Sequence, residues 1–278
     1  MRIPMPIGSA IDDARIDSWV ARFKFYRLPP DRKAIQEWLK RFKVSDRDLA
    51  ARILDVVEIK SEVDIQNGYS AALTSLAGWH LDPGKRTGKW FFVGFGRAGE
   101  SGQSMLRIFR EATRMNSNRF QSLFCSTSDL VNKALTASDT VVFVDDFSGT
   151  GKQVTNNWPM LAELIASEAK CHLLLTGATE AAIDAIKSKT ELIVHASCVL
   201  SAADNLFATE CSHFSATEKK AVERYGKIAE RKNPKGWGRC GVLFVLSHKT
   251  PNNTIPILHV NHHKWVGLFP RYLTQSAA

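Results

Sequence analysis

The stretch that decides the fold is Val141–Gln153, with the sequence VVFVDDFSGTGKQ. Four apolar residues, typical of a buried strand, end in two carboxylates, Asp145 and Asp146. In an open parallel sheet, ligands bind outside the carboxyl ends of the strands. Two adjacent carboxylates repel each other and are costly to bury unless hydroxyl groups or a cation satisfy them. Ribose hydroxyls or Mg²⁺ meet that requirement, so the pair predicts a sugar or metal site.

A small glycine-containing turn, Ser148–Gly151, follows the two acids and leads into a helical pattern. Backbone N–H groups at the N-terminus of a helix favour a bound phosphate. Carboxylates for sugar hydroxyls, followed within a few residues by a phosphate cradle, together predict a ribose 5-phosphate site.

Short apolar runs alternate with helical patterns on both sides of this segment. The alternation predicts an α/β fold, a doubly wound and mostly parallel sheet with helices on both faces. Pro159 is expected to kink or restart the helix that follows the turn. The predicted strands are Trp90–Phe95, Phe120–Cys125, Thr140–Val144, Cys171–Thr176 and Leu192–Ala196, and the helices between them are Ser101–Met115, Ser128–Leu135, a stretch to about Ala169, and Glu180–Ser188.

The two ends of the chain have a different rhythm. Residues 1–80 carry helical patterns, whereas the tail has a basic helix near Ala216–Arg231 and a strand at Val242–Leu246. We therefore expect an N-terminal helical extension over residues 1–88, a core over 89–200, and a C-terminal hood over 201–278 that packs on the core.

The composition is that of a globular protein. The chain has 278 residues, 44% hydrophobic and 23% charged, which excludes disorder and low complexity. No apolar run approaches the ~20 residues of a membrane span, so we expect no membrane insertion. Five cysteines form no CxxC pair and indicate reduced thiols, so we expect a cytoplasmic protein.

The net charge of +9 is unevenly distributed. Residues 85–119 hold eight basic and two acidic residues, and residues 218–239 hold eight and three, whereas residues 137–217 hold four and ten. Basic faces attract phosphates of nucleotides or nucleic acids, although they also serve as ordinary solvated surfaces. Trp237, between two basic residues, could stack on a base, but we expect the packed ring that is more common for tryptophan.

Three histidines near the C-terminus, His259, His262 and His263, raise the alternative of a zinc site. Zinc sites usually show paired ligands at regular spacing, and this segment has none. We therefore expect a loop of ordinary surface histidines.

The central segment resembles the phosphoribosyl diphosphate (PRPP) motif of type I phosphoribosyltransferases, an apolar strand, two acids, a short variable stretch and Thr-Gly-x-Thr. Asp145-Asp146 match the acids and Thr150-Gly151 match Thr-Gly, while Gln153 replaces the second Thr. A Walker A loop is excluded because Asp146 and Gln153 stand where it needs Gly and Ser/Thr.

This resemblance implies that Asp145 and Asp146 hold the ribose hydroxyls and, with them, Mg²⁺. It also implies that the 5′-phosphate is bound by Phe147, Ser148, Gly149, Thr150, Gly151 and Lys152.

A second match lies in Val93–Gly102, VGFGRAGESG, where type I enzymes have a diphosphate loop between the first core strand and a helix. The resemblance implies that Gly96, Arg97, Ala98 and Gly99 bind diphosphate. Arg97 would then join Asp145 and Asp146 as a catalytic residue, stabilising the departing diphosphate in an oxocarbenium-like reaction.

Most of the chain is similar to one branch of this superfamily, the phosphoribosyltransferase-like domain of bacterial conflict systems. The similarity extends from GFGRAGESG and VFVDDFSGTGKQ to Asn252–Leu258 (NNTIPIL), Trp265 and Leu268–Arg271 (LFPR). It implies a role in antiphage defence, in some cases as a retron accessory that partners a reverse transcriptase with its RNA and DNA. Assembly of the chain into a homo-oligomer is a further possibility that the sequence leaves open.

The chain departs from type I enzymes in one respect. They carry a long loop between the second and third core strands that closes over the diphosphate, whereas here only Ser126–Asp139 is available. An open site lets water reach the reactive sugar. Two hypotheses about function therefore remain. The first is an enzyme that catalyses phosphoribosyl transfer or N-glycosidic cleavage. The second is an inactive nucleotide sensor or assembly subunit that binds a reverse transcriptase–nucleic acid complex.

Overall fold

The computed structural model describes residues 11–97, 99–165 and 168–272. It has eight helices, α1 (Asp13–Phe23), α2 (Arg32–Lys40), α3 (Arg47–Val56), α4 (Glu62–Ser75), α5 (Ser101–Ala112), α6 (Lys152–Glu163), α7 (Glu180–Lys189) and α8 (Ala216–Ala229), within those ranges. The strands in the same ranges are β1 (Glu58–Lys60), β2 (Trp90–Gly94), β3 (Thr140–Ser148), β4 (Lys170–Thr179), β5 (Ile193–Leu200), β6 (Phe244–Leu246), β7 (Asn261–His262) and β8 (Trp265–Val266).

The chain forms two compact units. The first combines Met1–Glu62 with Ala202–Ala278, and the second is Val63–Ser201. The sequence places a boundary at residue 88, but in the structure residues 63–88 belong to the sheet-containing unit. The reason is that α4 packs on the sheet: the Tyr69 ring lies 5.8 Å from Phe109 of α5, and Gly68 lies against Ser197 of β5.

The second unit is built on a four-stranded parallel sheet in the order β2-β3-β4-β5. Gly94 is level with Val144, and Val144 with Leu174, so the carboxyl ends of the strands lie at one edge of the sheet. The predicted doubly wound α/β architecture with a mostly parallel sheet is confirmed.

Helices cover both faces of this sheet. Val154 and Trp158 of α6 and Ile186 of α7 pack with Phe143 of β3 in one apolar cluster. Aromatic rings dominate the other face, where Phe92 of β2 lies 5.0 Å from Phe109 of α5. Both faces of the central strands are thus buried, which explains why these strands read as continuous apolar runs rather than alternating ones.

Two local predictions differ from the structure. Phe120–Cys125 is not a strand, because residues Asn118–Leu123 form a 3-10 helix that buries Phe120 and Leu123, and this spacing of three matches the period of that helix. Only a single bridge joins Phe124 to Phe92. Pro159 does not restart its helix, because it lies inside α6, which ends at Glu163.

The first unit has its own core, to which both ends of the chain contribute. Trp38 of α2 and Trp265 of β8 are buried together, and both indole N–H groups donate to the Ile257 carbonyl, at 2.9 Å each. His259 is buried and its Nε2 lies 3.1 Å from the Thr254 carbonyl, so the expectation of surface histidines is wrong for this residue.

Two absences apply to the described ranges. No helix there is long and apolar enough to pass through a bilayer. No group of three or more histidine, cysteine, aspartate or glutamate side chains in those ranges is arranged to hold a metal ion by itself.

Gly102→Ala is expected to lower the free energy of unfolding by about 1–3 kcal/mol. Alanine ordinarily stabilises a helix more than glycine does. Here, however, a Cβ at Gly102 would lie 2.0 Å from the carbonyl oxygen of Phe95, which directly follows β2. Chemical denaturation measures the change. The matched control is Gly84→Ala, whose Cβ would meet its nearest atom at an ordinary 3.6 Å. Equal stabilities of the two variants would contradict the close approach.

Candidate functional site

The strand β3 carries the central segment into the site. It runs beyond the two acids to Ser148, and the turn Gly149–Gly151 then leads into α6 at Lys152. The sequence predicts that both carboxylates lie at a strand end on the surface of a cleft. That prediction is wrong for Asp145, because this residue lies within β3, before the end of the strand, and is only 3% exposed.

Asp145 is held by neighbouring hydrogen-bond donors. Its Oδ1 accepts from the Ser101 hydroxyl at 2.7 Å and from the backbone N–H of Asp146 at 2.9 Å. Burial raises the pKa of the Asp145 carboxyl well above its usual range, and the adjacent Asp146 charge raises it further. The Asp145 carboxyl group therefore favours its neutral form. Further hydrogen-bond donors or positive charge from a ligand would favour its charged form.

The backbone of Asp145 is also fixed. The Tyr69 hydroxyl, from α4, donates to the Asp145 carbonyl at 2.7 Å and accepts from the Thr176 hydroxyl at 3.3 Å. Burial raises the pKa of Tyr69, so it remains a neutral donor. Sequence reasoning missed both residues. Tyr69 lies outside the motifs, and Ser101 lies in the second motif match, Val93–Gly102, but carries none of the roles that the resemblance implies.

Asp146 is the less buried carboxylate of the pair. Its Oδ1 accepts from the backbone N–H of Phe147 at 2.7 Å. The two acids therefore have different environments: Asp145 is enclosed, whereas Asp146 lies half-buried beside the turn.

The predicted phosphate cradle, Ser148–Lys152, is anchored from the neighbouring strand. The Thr179 hydroxyl, at the end of β4, donates to the Gly149 carbonyl at 2.8 Å. The first turn of α6 contains no acidic side chain, and Lys152 is its first residue. A phosphate at this helix start would meet backbone N–H groups and a positive charge.

The predicted diphosphate loop begins where β2 ends. Gly96 and Gly99 have φ angles of +96° and +87°, which residues other than glycine rarely adopt. Ala98, also predicted to bind, lies outside the described residues. At these two positions the backbone therefore depends on glycine.

A carboxylate of the protein itself lies in this loop, which the sequence did not predict. Glu100 Oε2 accepts from the backbone N–H of Arg97 at 2.9 Å and from the Gln153 amide at 3.1 Å. Gln153 stands in the first turn of α6, so the Glu100 side chain joins the diphosphate loop to the phosphate cradle. An internal anion therefore uses a donor that the sequence assigns to a ligand anion.

The acids suit a Mg²⁺ ion that a ligand helps to bind, not a preformed metal centre. Mg²⁺ is commonly held by one or two carboxylates, with phosphate oxygens and water completing its shell. Two adjacent carboxyl groups at the edge of a phosphate cradle fit that donor set, with Asp146 the more accessible. The described residues add no third protein ligand of the usual types.

Asp145→Asn is expected to gain stability over the parent as the pH rises. Because the pKa of Asp145 is raised in the folded chain, the carboxyl contributes stability in its protonated form at low pH and loses it as the pH rises through the folded-state pKa. Asparagine keeps the Oδ1 acceptor and does not ionise. Denaturation at pH 5 and pH 8 measures the difference in the free energy of unfolding.

Asp184→Asn, which changes an exposed carboxyl group on α7, is the matched control. A difference between Asp145→Asn and the parent that is the same at both pH values would contradict the raised pKa.

Comparison with known proteins agrees with this arrangement. The family model named PRTase-CE matches residues 35–271, most of the chain. No curated protein matches the chain. A parallel sheet with two acids beside a glycine turn suits a phosphoribosyltransferase-like domain, and on the extent of the match the chain belongs to the PRTase-CE family.

Proposed function

We propose that this protein binds PRPP or a related ribose 5-phosphate nucleotide, together with Mg²⁺, at Asp145–Lys152. The observation that carries the proposal is the buried Asp145 carboxyl, which lies next to a second acid and a helix-starting turn. A protein that needed only a stable strand would gain by an apolar residue at this position. Membership of a phosphoribosyltransferase-like family supplies the ligand class.

Each part of the site has a role in binding. Ribose hydroxyls donate to the carboxylates of Asp145 and Asp146, and each new donor stabilises the charged form that burial disfavours. Backbone N–H groups of the turn Gly149–Gly151 and the Lys152 side chain hold the 5′-phosphate. The loop Gly96–Gly99 holds a diphosphate or another substituent at the anomeric carbon.

Bound Mg²⁺ would neutralise diphosphate charge. Its protein ligand would be the Asp146 carboxylate, which is less buried than the neighbouring Asp145. If the protein turns over, the bond from the anomeric carbon to its diphosphate or base breaks, and Arg97 stabilises the departing anion. The acceptor is then a base, water or a macromolecule. The similarity to conflict-system proteins suggests that this activity serves antiphage defence.

A second candidate is a nucleotide sensor or assembly subunit without turnover, bound to a reverse transcriptase–nucleic acid complex. The observation that favours a sensor is the Glu100 carboxylate in the diphosphate loop. In addition, Ser128–Lys133, which lies between β2 and β3, forms a 3-10 helix and not an extended loop.

Asp146→Asn is expected to weaken binding of PRPP about tenfold or more, because a hydrogen bond to a charged group contributes ~1.5–3 kcal/mol. The double variant with Asp145→Asn should lose measurable binding. Calorimetric titration with Mg²⁺-PRPP and with AMP measures both, and Asp184→Asn serves as the control. Binding by the double variant as tight as the parent's would show that the site is misassigned. Release of pyrophosphate from bound PRPP separates the enzyme from the sensor.

Glu100→Gln is expected to raise the affinity for PRPP by about tenfold, since it removes a carboxylate that competes for the loop and repels the diphosphate. The matched control is Glu111→Gln, which changes a carboxylate on α5 that pairs with Arg107. Titration of both variants measures the effect. If the parent binds PRPP and Glu100→Gln binds it no better, Glu100 does not compete with the ligand.

A further inference from the structure

Three aromatic side chains of the first unit are exposed. Phe25, Trp237 and Tyr272 have exposed fractions of 50%, 46% and 68%, respectively. The expectation of a packed Trp237 ring is therefore wrong. Single exposed rings are common on protein surfaces, whereas exposed rings grouped together mark a surface for a partner.

The three rings are tied to one short segment, Ser247–Asn252. The backbone N–H of Arg27, two residues after Phe25, donates to the Ser247 carbonyl at 2.8 Å. The Lys249 ammonium lies 5.6 Å from the Tyr272 ring centre. The backbone N–H of Trp237 donates to the Asn252 carbonyl at 2.8 Å. The chain segments that carry the three rings are thus each in contact with one six-residue segment.

The backbone at Trp237 is fixed while its ring stays exposed. The Asn253 amide donates to the Trp237 carbonyl at 3.0 Å. Gly236 packs so closely that a Cβ there would lie 2.3 Å from the Asn253 carbonyl oxygen. A ring on an anchored backbone loses little conformational entropy when it binds, which favours its use as a contact.

Positive charge surrounds these rings. Arg239 is exposed beside Trp237, and Lys24 lies 5.1 Å from the Phe25 ring centre. Arg27 donates to the Arg271 carbonyl at 2.6 Å, which places a further cation next to Tyr272. The segments 24–28 and 231–241 contain six basic and no acidic residues.

Several basic residues on the helices α5 and α8 are engaged by other groups of the protein. Lys219 donates to the carbonyls of Ala208 and Cys211. Arg110 donates to the Met115 carbonyl. Lys227 and Arg107 pair with glutamates of their own helices. Arg27 and Lys235 beside the rings are engaged in the same way, so it is the exposed rings that distinguish their surface from these helices.

We propose that this aromatic–basic surface, formed by Phe25, Trp237 and Tyr272 with the adjacent cations, binds single-stranded nucleic acid. Unpaired bases offer flat faces that stack on aromatic rings, and cations follow the phosphate backbone. A duplex hides its base faces in the stack. An acidic peptide would satisfy the cations but not the rings. The residues of this surface belong to the first unit, whereas Asp145–Lys152 belong to the second.

The test uses fluorescence anisotropy of labelled oligo(dT) and oligo(rU), each of about twenty nucleotides, and of a blunt duplex of the same length. The full chain is expected to bind either single strand more tightly than the duplex. Trp237→Ala and Tyr272→Ala should each weaken single-strand binding about fivefold or more, whereas Trp237→Phe, which keeps a ring, should retain most of it. Affinity should fall steeply as salt rises, because each phosphate contact releases counterions.

Two controls make the outcome decisive. Lys24→Gln should weaken binding, whereas Lys187→Gln, which removes an exposed charge from the other unit, should not. The Asp145→Asn, Asp146→Asn double variant should bind the oligonucleotides as the parent does, which separates this surface from the nucleotide site. The proposal is overturned if the parent binds no single strand at low salt, if duplex binds equally well, or if Trp237→Ala and Tyr272→Ala bind like the parent.

Discussion

The hydrogen bonds around Asp145 hold the second unit in its functional arrangement. Ser101 ties the start of α5 to the Asp145 carboxyl, and Tyr69 ties α4 to its carbonyl. Both helices therefore meet β3 at the residue that the ligand would reach. A carboxyl buried to 3% exposure is costly without such partners, and these bonds offset only part of the cost because the pKa stays raised. Under the proposed function, an arriving ligand would complete the set of donors and offset what remains.

The edge of the sheet brings two loops into contact around a single carboxylate. Because Gly94 and Val144 are level in the sheet, the loop after β2 lies beside the extension of β3. Glu100 uses this closeness by accepting from the first loop and from Gln153 of the second. An anion in this position holds the donors together in the absence of a ligand. It also means that a phosphorylated ligand must displace a charge before it can use the same backbone N–H group.

The parts that could be predicted from the sequence are those that local patterns determine. Val141–Val144 is apolar throughout, which suits a strand covered on both faces, and the adjacent acids and glycines identify the candidate site. The roles of Tyr69 and Glu100 could not be predicted, because they depend on which side chains tertiary packing brings to the sheet edge. Phe120–Cys125 misled because a short apolar run fits a strand and a 3-10 helix equally well. The prediction for Trp237 was wrong because the usual burial of tryptophan is only a statistical preference. Here the backbone at Gly236 packs closely against Asn253, and the adjacent Trp237 ring is exposed.

The distribution of charge bears on how the site can hold an anion. Residues 137–217, which include the two acids and the phosphate cradle, contain four basic and ten acidic residues. PRPP carries several negative charges, and near its proposed site the chain offers few cations, chiefly Lys152 and Arg97. Backbone N–H groups supply only partial positive charge, roughly half an elementary charge at a helix start. A divalent cation is therefore the component that makes such a ligand electrostatically acceptable beside Asp145 and Asp146. A ligand with a single phosphate would carry less charge into the proposed site and would therefore depend less on that cation than PRPP would.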